Sequence, residues 1–266
     1  MPLPRLTVLI RGAGEMASGV AWRLHQAHFR VLLTEVPEPL AVRREVSFCE
    51  AVYDGRKTVE GVEAVLIPAP EEAAAVWETN RLPLLVDPDL TRARALNPDA
   101  LVDAILAKKN LGTRISDAPW VIGLGPGFRA GRDCHLVVET NRGHNLGRLY
   151  TAGEAEPDTG EPGIIGGFSR ERVLRAPVAG RLQSLKSIGE AVEAGEVVAF
   201  VSGRPVPSPI KGILRGLIRD QTPVTAQLKI GDVDPRGNRA YCFTISEKAR
   251  AIAGAILEGL LRRFHQ

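Results

Sequence analysis

Short apolar runs alternate with helix-period stretches through the first half of this chain, and that alternation restricts its fold more than any other feature. Leu6 to Ile10 is a β-rich run, after which Met16, Val20 and Leu24 recur at four-residue spacing on one helix face. Val31 to Thr34, Val62 to Ile67, Leu84 to Val86 and Trp120 to Leu124 are further apolar runs. A helix rich in Glu and Ala is expected from Pro70 to Asn80. Asn97-Pro98 sets a capping residue before a proline at the first helical position, which predicts a helix through about Lys108. His135 to Thr140 is again strand-like. Strands and helices in alternation argue for an α/β domain whose parallel sheet has helices on its faces.

The texture changes between Thr151 and Gly167, where glycine, proline and acidic residues crowd into a stretch that reads as a loop or linker. Beyond it the sequence repeats. Ala176-Pro177-Val178-Ala179-Gly180-Arg181-Leu182 matches Ser208-Pro209-Ile210-Lys211-Gly212-Ile213-Leu214 at an offset of 32. At the same offset Leu185 meets Leu217, Val192 meets Val224 and Ala194 meets Ala226. Two copies are too few for a solenoid and suit a compact β sandwich with a pseudo-twofold axis. Each Pro-x-x-Gly reads as a turn, since proline presets φ and glycine accepts positive φ. Ser246 then caps a final helix whose stripe is Ala249, Ile252, Ala253, Ile256, Leu257, Leu260 and Phe264. The expected division is a Rossmann-like domain over 1–168, a β domain over 169–245 and a packing helix over 246–266.

Arg11-Gly12-Ala13-Gly14-Glu15-Met16-Ala17 follows the first strand and opens the first helix, so G-x-G-x-x-A stands where a dinucleotide motif belongs. Gly12 allows the tight turn, Gly14 lets the backbone approach a pyrophosphate, and Ala17 permits close helix–sheet packing. Glu35 ends the second strand, where an acid accepts the ribose 2′-hydroxyl and repels a 2′-phosphate. NAD or another dinucleotide is the ligand this set fits, with Arg43 and Arg44 placed to soften the preference against NADP. A turn that binds nothing is the alternative. Gly123, Gly125 and Gly127 form a second glycine-rich loop at a strand end, equally readable as an anion cradle or a plain turn. Glu139, Arg142 and His144 lie near the end of the following strand and make either a polar site or a solvated loop. Asp232 and Asp234 stand at alternate positions, suited to a ligand or, more simply, to a turn. No metal site is expected, because His135 and Glu139 lie roughly 13 Å apart along a strand.

Composition narrows the remaining classes. With 34 basic and 31 acidic residues and no basic block, nucleic acid is not an expected partner. No apolar run approaches the ~18 residues of a membrane span. The opening residues lack a leader layout, and three scattered cysteines fit a cytoplasmic home.

Five stretches together resemble the YqeB-type family of selenium-dependent molybdenum hydroxylase system proteins. They are R-G-A-G-E-M-A-S-G-V-A at 11–21, P-L-A-V-R-R-E-V-S-F-C-E-A-V at 39–52, G-L-G-P-G-F at 123–128, V-E-T-N-R-G-H-N-L-G-R at 138–148 and K-I-G-D-V-D-P-R at 229–236. The resemblance implies an accessory or maturation factor that binds a nucleotide or molybdopterin-type ligand and works with a molybdenum hydroxylase or its maturation proteins. An NAD-dependent oxidoreductase and a non-catalytic binding module are the alternatives. The repeat also resembles the barrel-sandwich fold of biotinyl and lipoyl carrier domains. Its matching hairpin tip, Ser202-Gly203-Arg204-Pro205, has no lysine, so neither biotin nor lipoate is expected.

Overall fold

A computed structural model describes residues 6–265. Residues 1–5, the start of the stretch weighed as a leader, and residue 266 lie outside the described part. The protein is mixed α/β and divides into two compact units: Met1–Pro39, Ser47–Thr159 and Ile245–Gln266 form one, Leu40–Val46 and Gly160–Thr244 the other. The division is discontinuous, unlike the linear one at 168/169 and 245/246, because residues 40–46 join the second unit and the final helix belongs to the first. No helix among the described residues is long and apolar enough to cross a membrane.

The first unit carries strands β1 (Thr7–Arg11), β2 (Arg30–Glu35), β3 (Arg56–Val59), β4 (Val62–Ile67), β5 (Leu82–Val86), β6 (Ala100–Asp103), β7 (Val121–Leu124), β8 (Arg129–Ala130), β9 (Leu136–Val138), β10 (Leu149–Tyr150) and β11 (Gly153–Glu154). Its helices are α1 (Glu15–Gln26), α2 (Ala51–Asp54), α3 (Ala73–Glu78) and α4 (Glu247–Phe264). Nine of the strands form one sheet in the order β10-β9-β7-β6-β1-β2-β5-β4-β3, while β8 and β11 pair separately. All neighbours in the large sheet are parallel except the edge pairs β9–β10 and β3–β4. From β1 the chain builds outward through β2 to β4 and β5, then returns to β1's other side with β6. The strand order therefore reverses between β1 and β6, and there an open α/β sheet leaves a crevice at its carboxyl edge.

The helix expected from Asn97 to about Lys108 does not form; this stretch contains β6. Asn97 adopts φ 46 and closes a 3-10 turn at Ala93–Leu96, and the next four-residue strand is buried throughout. Asp103 lies in register with Arg11 and makes a buried ion pair with it at 3.3 Å, and it also accepts from the Thr113 hydroxyl at 2.6 Å. Losing one member of a buried pair like this costs about 3–5 kcal/mol, because the other charge is stranded.

Helix α4 starts where Ser246 Oγ accepts from Ala249 N–H and buries Ala249, Ile252, Ala253, Ile256 and Leu260. It runs against α1 so closely that a Cβ on Gly19 would sit 2.9 Å from the Ala249 Cβ. It also packs on the sheet, where a Cβ on Gly259 would come 2.9 Å from Leu136 Cδ1.

The second unit is built from β12 (Val173–Arg175), β13 (Gly180–Ser184), β14 (Ala191–Val192), β15 (Val197–Val201), β16 (Arg204–Pro207), β17 (Gly212–Leu217), β18 (Pro223–Val224) and β19 (Lys229–Asp234). They form two four-stranded sheets, β12-β19-β17-β14 and β16-β15-β13-β18. Shifting the sequence by the repeat offset maps one strand order onto the other. Each sheet takes its two central strands from one repeat and its outer strands from the other, so neither repeat closes a sheet alone. The core repeats as well: Leu174 and Val206, Leu182 and Leu214, Val198 and Ile230, Val201 and Val233 are all buried in one cluster. Asp232 and Asp234 lie in strand β19, not in the turn expected for them. They follow the strand's alternation on the face opposite Val233.

Candidate functional site

The carboxyl edge of the large sheet gathers the residues singled out from sequence. Gly12 turns at φ 99, and a Cβ there would meet the backbone of Ala104 and Ile105 at 3.3 Å. Gly12 is thus required by the chain itself, which brings the ends of β1 and β6 together at the reversal point. Gly14 differs. It begins α1 at φ −70 and ψ −173, an ordinary extended conformation, and a Cβ there would meet nothing within 4 Å. Neither conformation nor packing explains a glycine at 14, and a Ser or Asp there would cap α1 better. Ala17 is fully buried, as helix–sheet contact requires. Met16 is half-buried, and Glu15 accepts from the Ser246 hydroxyl at 2.8 Å, which ties the starts of α1 and α4 together.

Glu35 sits at the end of β2 with its carboxylate against the glycine turn. Oε2 accepts from Ala13 N–H at 2.8 Å and Oε1 from Val36 N–H at 2.9 Å. Burial pushes its carboxyl above the usual range, against the pull of those two N–H groups. A carboxylate has about four lone-pair sites, so two remain. Val86 pairs with Glu35 in the next strand and helps line an open cavity of about 270 Å³ with Leu66, Ile67, Pro68, Leu85 and Arg92. This slot lies at the ends of β4 and β5, roughly 10–14 Å from the glycine turn at ordinary strand spacing.

The second glycine loop is filled by its own chain. A Cβ on Gly123 would lie 2.5 Å from the Phe128 ring, one on Gly125 2.5 Å from Thr140 Oγ1, and one on Gly127 2.4 Å from Lys109 Cα. Glu139 is fully buried and serves as a staple. Oε1 accepts from Thr140 and Asn141 N–H at 2.8 and 2.7 Å, and Oε2 from Glu156 N–H at 2.8 Å. Arg142 pairs with Glu247, and His144 is exposed. Arg43 donates to the carbonyls of Tyr241 and Thr244, and Arg44 to that of Leu217, so both are engaged within the second unit.

The chain is 48% identical over 259 residues, 97% of its length, to the uncharacterized protein YqeB of Escherichia coli strain K12. It belongs to the YqeB family. The chain spans 48% of that relative's length. No protein-family model matches it. Among solved structures, an aspartoacylase family protein of Mesorhizobium loti is similar at a TM-score of 0.27 and 13% identity, over 86% of this chain and 84% of that one.

In this YqeB-family chain the crevice also holds residues that sequence reading passed over. Lys248 is partly buried near the start of α4. Desolvation and the cations of Arg142 and Lys108 lower its ammonium's pKa, while Glu15 and Glu139 draw it back up. Lys108 itself pairs with Asp158 at 2.7 Å. The only sequence signal for this cluster was that the glycine and V-E-T-N-R-G-H stretches end strands of one sheet. Among the described residues no three His, Cys, Asp or Glu gather as a metal site. His135 stacks on Trp120 with ring centroids 4.6 Å apart and accepts from Val121 N–H.

All three cysteines are buried and free. Burial, then the charges of Glu35 and Glu50, pushes the Cys49 thiol up, and burial pushes Cys134 up to about 12. Thiolate is the nucleophile, so both are poor ones. Native protein treated with iodoacetamide at neutral pH should be labelled at these positions at least about 100-fold more slowly than the unfolded chain. Peptide mass mapping checks this, and rapid native labelling of Cys49 would show a reactive thiol instead.

Proposed function

We propose that the first unit is a Rossmann-like domain that binds a dinucleotide, NAD or a molybdopterin-type nucleotide, along the carboxyl edge of its sheet. The protein then serves as an accessory factor to a molybdenum hydroxylase. The observation that carries the reading is Gly14, a glycine that the chain's own conformation and packing leave unexplained. A pyrophosphate approaching the α1 N-terminus needs that space, and the helix offers free N–H groups and a positive partial charge. Glu35 then takes the sugar hydroxyl, and the apolar slot beside Val86 takes a flat base. Its volume lies just below that of pockets for drug-sized ligands, which suits a single ring system. The second unit, with its exchanged repeats, is read as a barrel-sandwich that carries no biotin or lipoate. Its hairpin tip between β15 and β16 is Ser202-Gly203.

The experiment is calorimetric titration of the purified protein with NAD, NADP and pterin nucleotides, beside mass spectrometry of any small molecule that copurifies. Binding of a dinucleotide without consumption of NADH is the expected result. Steady NADH oxidation with a carbonyl substrate moves the oxidoreductase reading ahead. No binding of any nucleotide at millimolar concentration leaves the glycine loop a turn. The accessory role has its own test: a deletion strain should lose selenium-dependent purine hydroxylation while keeping the hydroxylase polypeptide.

A further inference from the structure

The K-I-G-D-V-D-P-R stretch lies in the second unit and has no part in the crevice described above. Around it runs a row of charge, buried at every member but Arg236. Arg172 Nη1 donates to Asp232 Oδ2 at 2.7 Å. Arg236 grips Asp234 with Nε at 2.9 Å from Oδ1 and Nη2 at 2.6 Å from Oδ2. Between the two aspartates stands Arg215, 5% exposed, whose ion pair runs from Nε to Asp234 Oδ2 at 3.6 Å, beyond hydrogen-bond reach. The pairing of β17 with β19 slips between Leu214 and Gly216, so Arg215 is the bulged residue. Bulges re-aim side chains and recur beside functional sites.

Three groups in this row are buried without a hydrogen-bond partner among the described residues: Nε of Arg215, Nε of Arg172 and Oδ1 of Asp232. The unmet oxygen is close to the bulge, since Gly216 pairs with Asp232 and a Cβ on Gly216 would lie 2.9 Å from Oδ1. A buried polar group left unmet is costly. Asp234 is held by the exposed Arg236 through two short bonds, which leaves the buried Arg215 only its 3.6 Å contact for a counterion. Water can satisfy the donors and the acceptor but leaves that positive charge without a closer counterion, and buried charge is costly unless paired.

We propose that Arg215, Arg172 and Asp232 form a binding site for a small oxyanion that keeps a proton at neutral pH, the chemistry of hydrogen phosphate or bicarbonate. The anion's oxygens accept from the two guanidiniums, and its hydroxyl donates to Asp232 Oδ1. An oxyanion with no proton, such as sulfate, would instead set its oxygen against that carboxylate. Selectivity therefore comes from an unpaired acceptor aimed at the wrong ligand.

The test titrates the full chain at neutral pH with orthophosphate, bicarbonate and sulfate at matched ionic strength, read by calorimetry and thermal unfolding. Orthophosphate or bicarbonate should bind at least about tenfold more tightly than sulfate. Asp232→Asn adds a donor while keeping an acceptor for Arg172, and should bring sulfate to within about threefold of orthophosphate. Arg215→Leu should abolish binding, whereas Gly14→Val, in the other unit, should leave it intact. Equal affinity for sulfate and orthophosphate in the unmodified chain overturns the proposal. So does unchanged discrimination in Asp232→Asn, or no binding of either protonated anion, which makes the occupant water.

Discussion

Replacing Gly14 with valine should abolish dinucleotide binding, by at least about 100-fold in affinity, and lower the thermal midpoint of the protein by no more than about 4 °C, the cost of a poorer N-cap. The two halves of that expectation rest on one site. A valine at φ −70 and ψ −173 is unstrained, and its Cβ finds open space, so the fold loses only the N-cap preference of glycine over valine. The same branched side chain stands where a pyrophosphate would meet the α1 N-terminus. Gly127→Ala is the contrasting case. It forces an alanine to φ 100 with its Cβ 2.4 Å from Lys109 Cα, so backbone must move. That variant should lose roughly 2–4 kcal/mol of stability whatever the ligand does. Calorimetry and thermal unfolding on both variants separate the glycine that serves the chain from the one that serves a ligand. If Gly14→Val binds as the parent does, or unfolds, the glycine at 14 has another purpose.

The contrast between the two glycine loops shows what sequence could and could not reveal. Gly12, Gly14 and Glu35 were legible because motif, strand and helix start are neighbours in the chain, and β2 returns to β1's side after one helix. Gly123, Gly125 and Gly127 looked similar on paper. What fills them is the Phe128 ring, the Thr140 hydroxyl and the Lys109 backbone, and two of those arrive through pairings that no local pattern encodes. The expected helix from Asn97 failed for a related reason. Helix propensity differs by at most about 0.7 kcal/mol per ordinary residue, while burying Leu101 and Val102 gains about 1.5–3 kcal/mol each. A place between β1 and β7 therefore outweighs local preference. Missing β6 also hid Asp103, Lys108 and the reversal point. The repeat fared better, because each strand's equivalent lies at a constant offset even though the sheets exchange strands. Arg215 carried no signal at all: its importance lies in the bulge that buries it.

Glu139 is where the sequence reading and the geometry divide most sharply, and substitution separates them. Sequence placed it among residues for a ligand, whereas its carboxylate is consumed by the backbone N–H groups of Thr140, Asn141 and Glu156. Removing it takes the shared acceptor from three backbone donors, one on the buried Thr140 and two on Asn141 and Glu156 at the surface. Each stranded donor costs about 1–3 kcal/mol, and relaxation toward water recovers part of the sum, so Glu139→Ala should cost about 3–5 kcal/mol. For a unit of this size that is a fall of roughly 6–20 °C in thermal midpoint. Glu139→Gln keeps one carbonyl oxygen for two of the N–H groups but turns an amide NH₂ toward the third, so it should fall between the parent and alanine. The damage should be local. Hydrogen exchange should quicken at Thr140, Asn141 and Glu156 while the buried strands β1, β2 and β5 keep their protection. A residue held for a ligand would behave in the opposite way, with Glu139→Gln keeping full stability and losing dinucleotide affinity. That outcome would move Glu139 from the scaffold of the crevice to its binding surface.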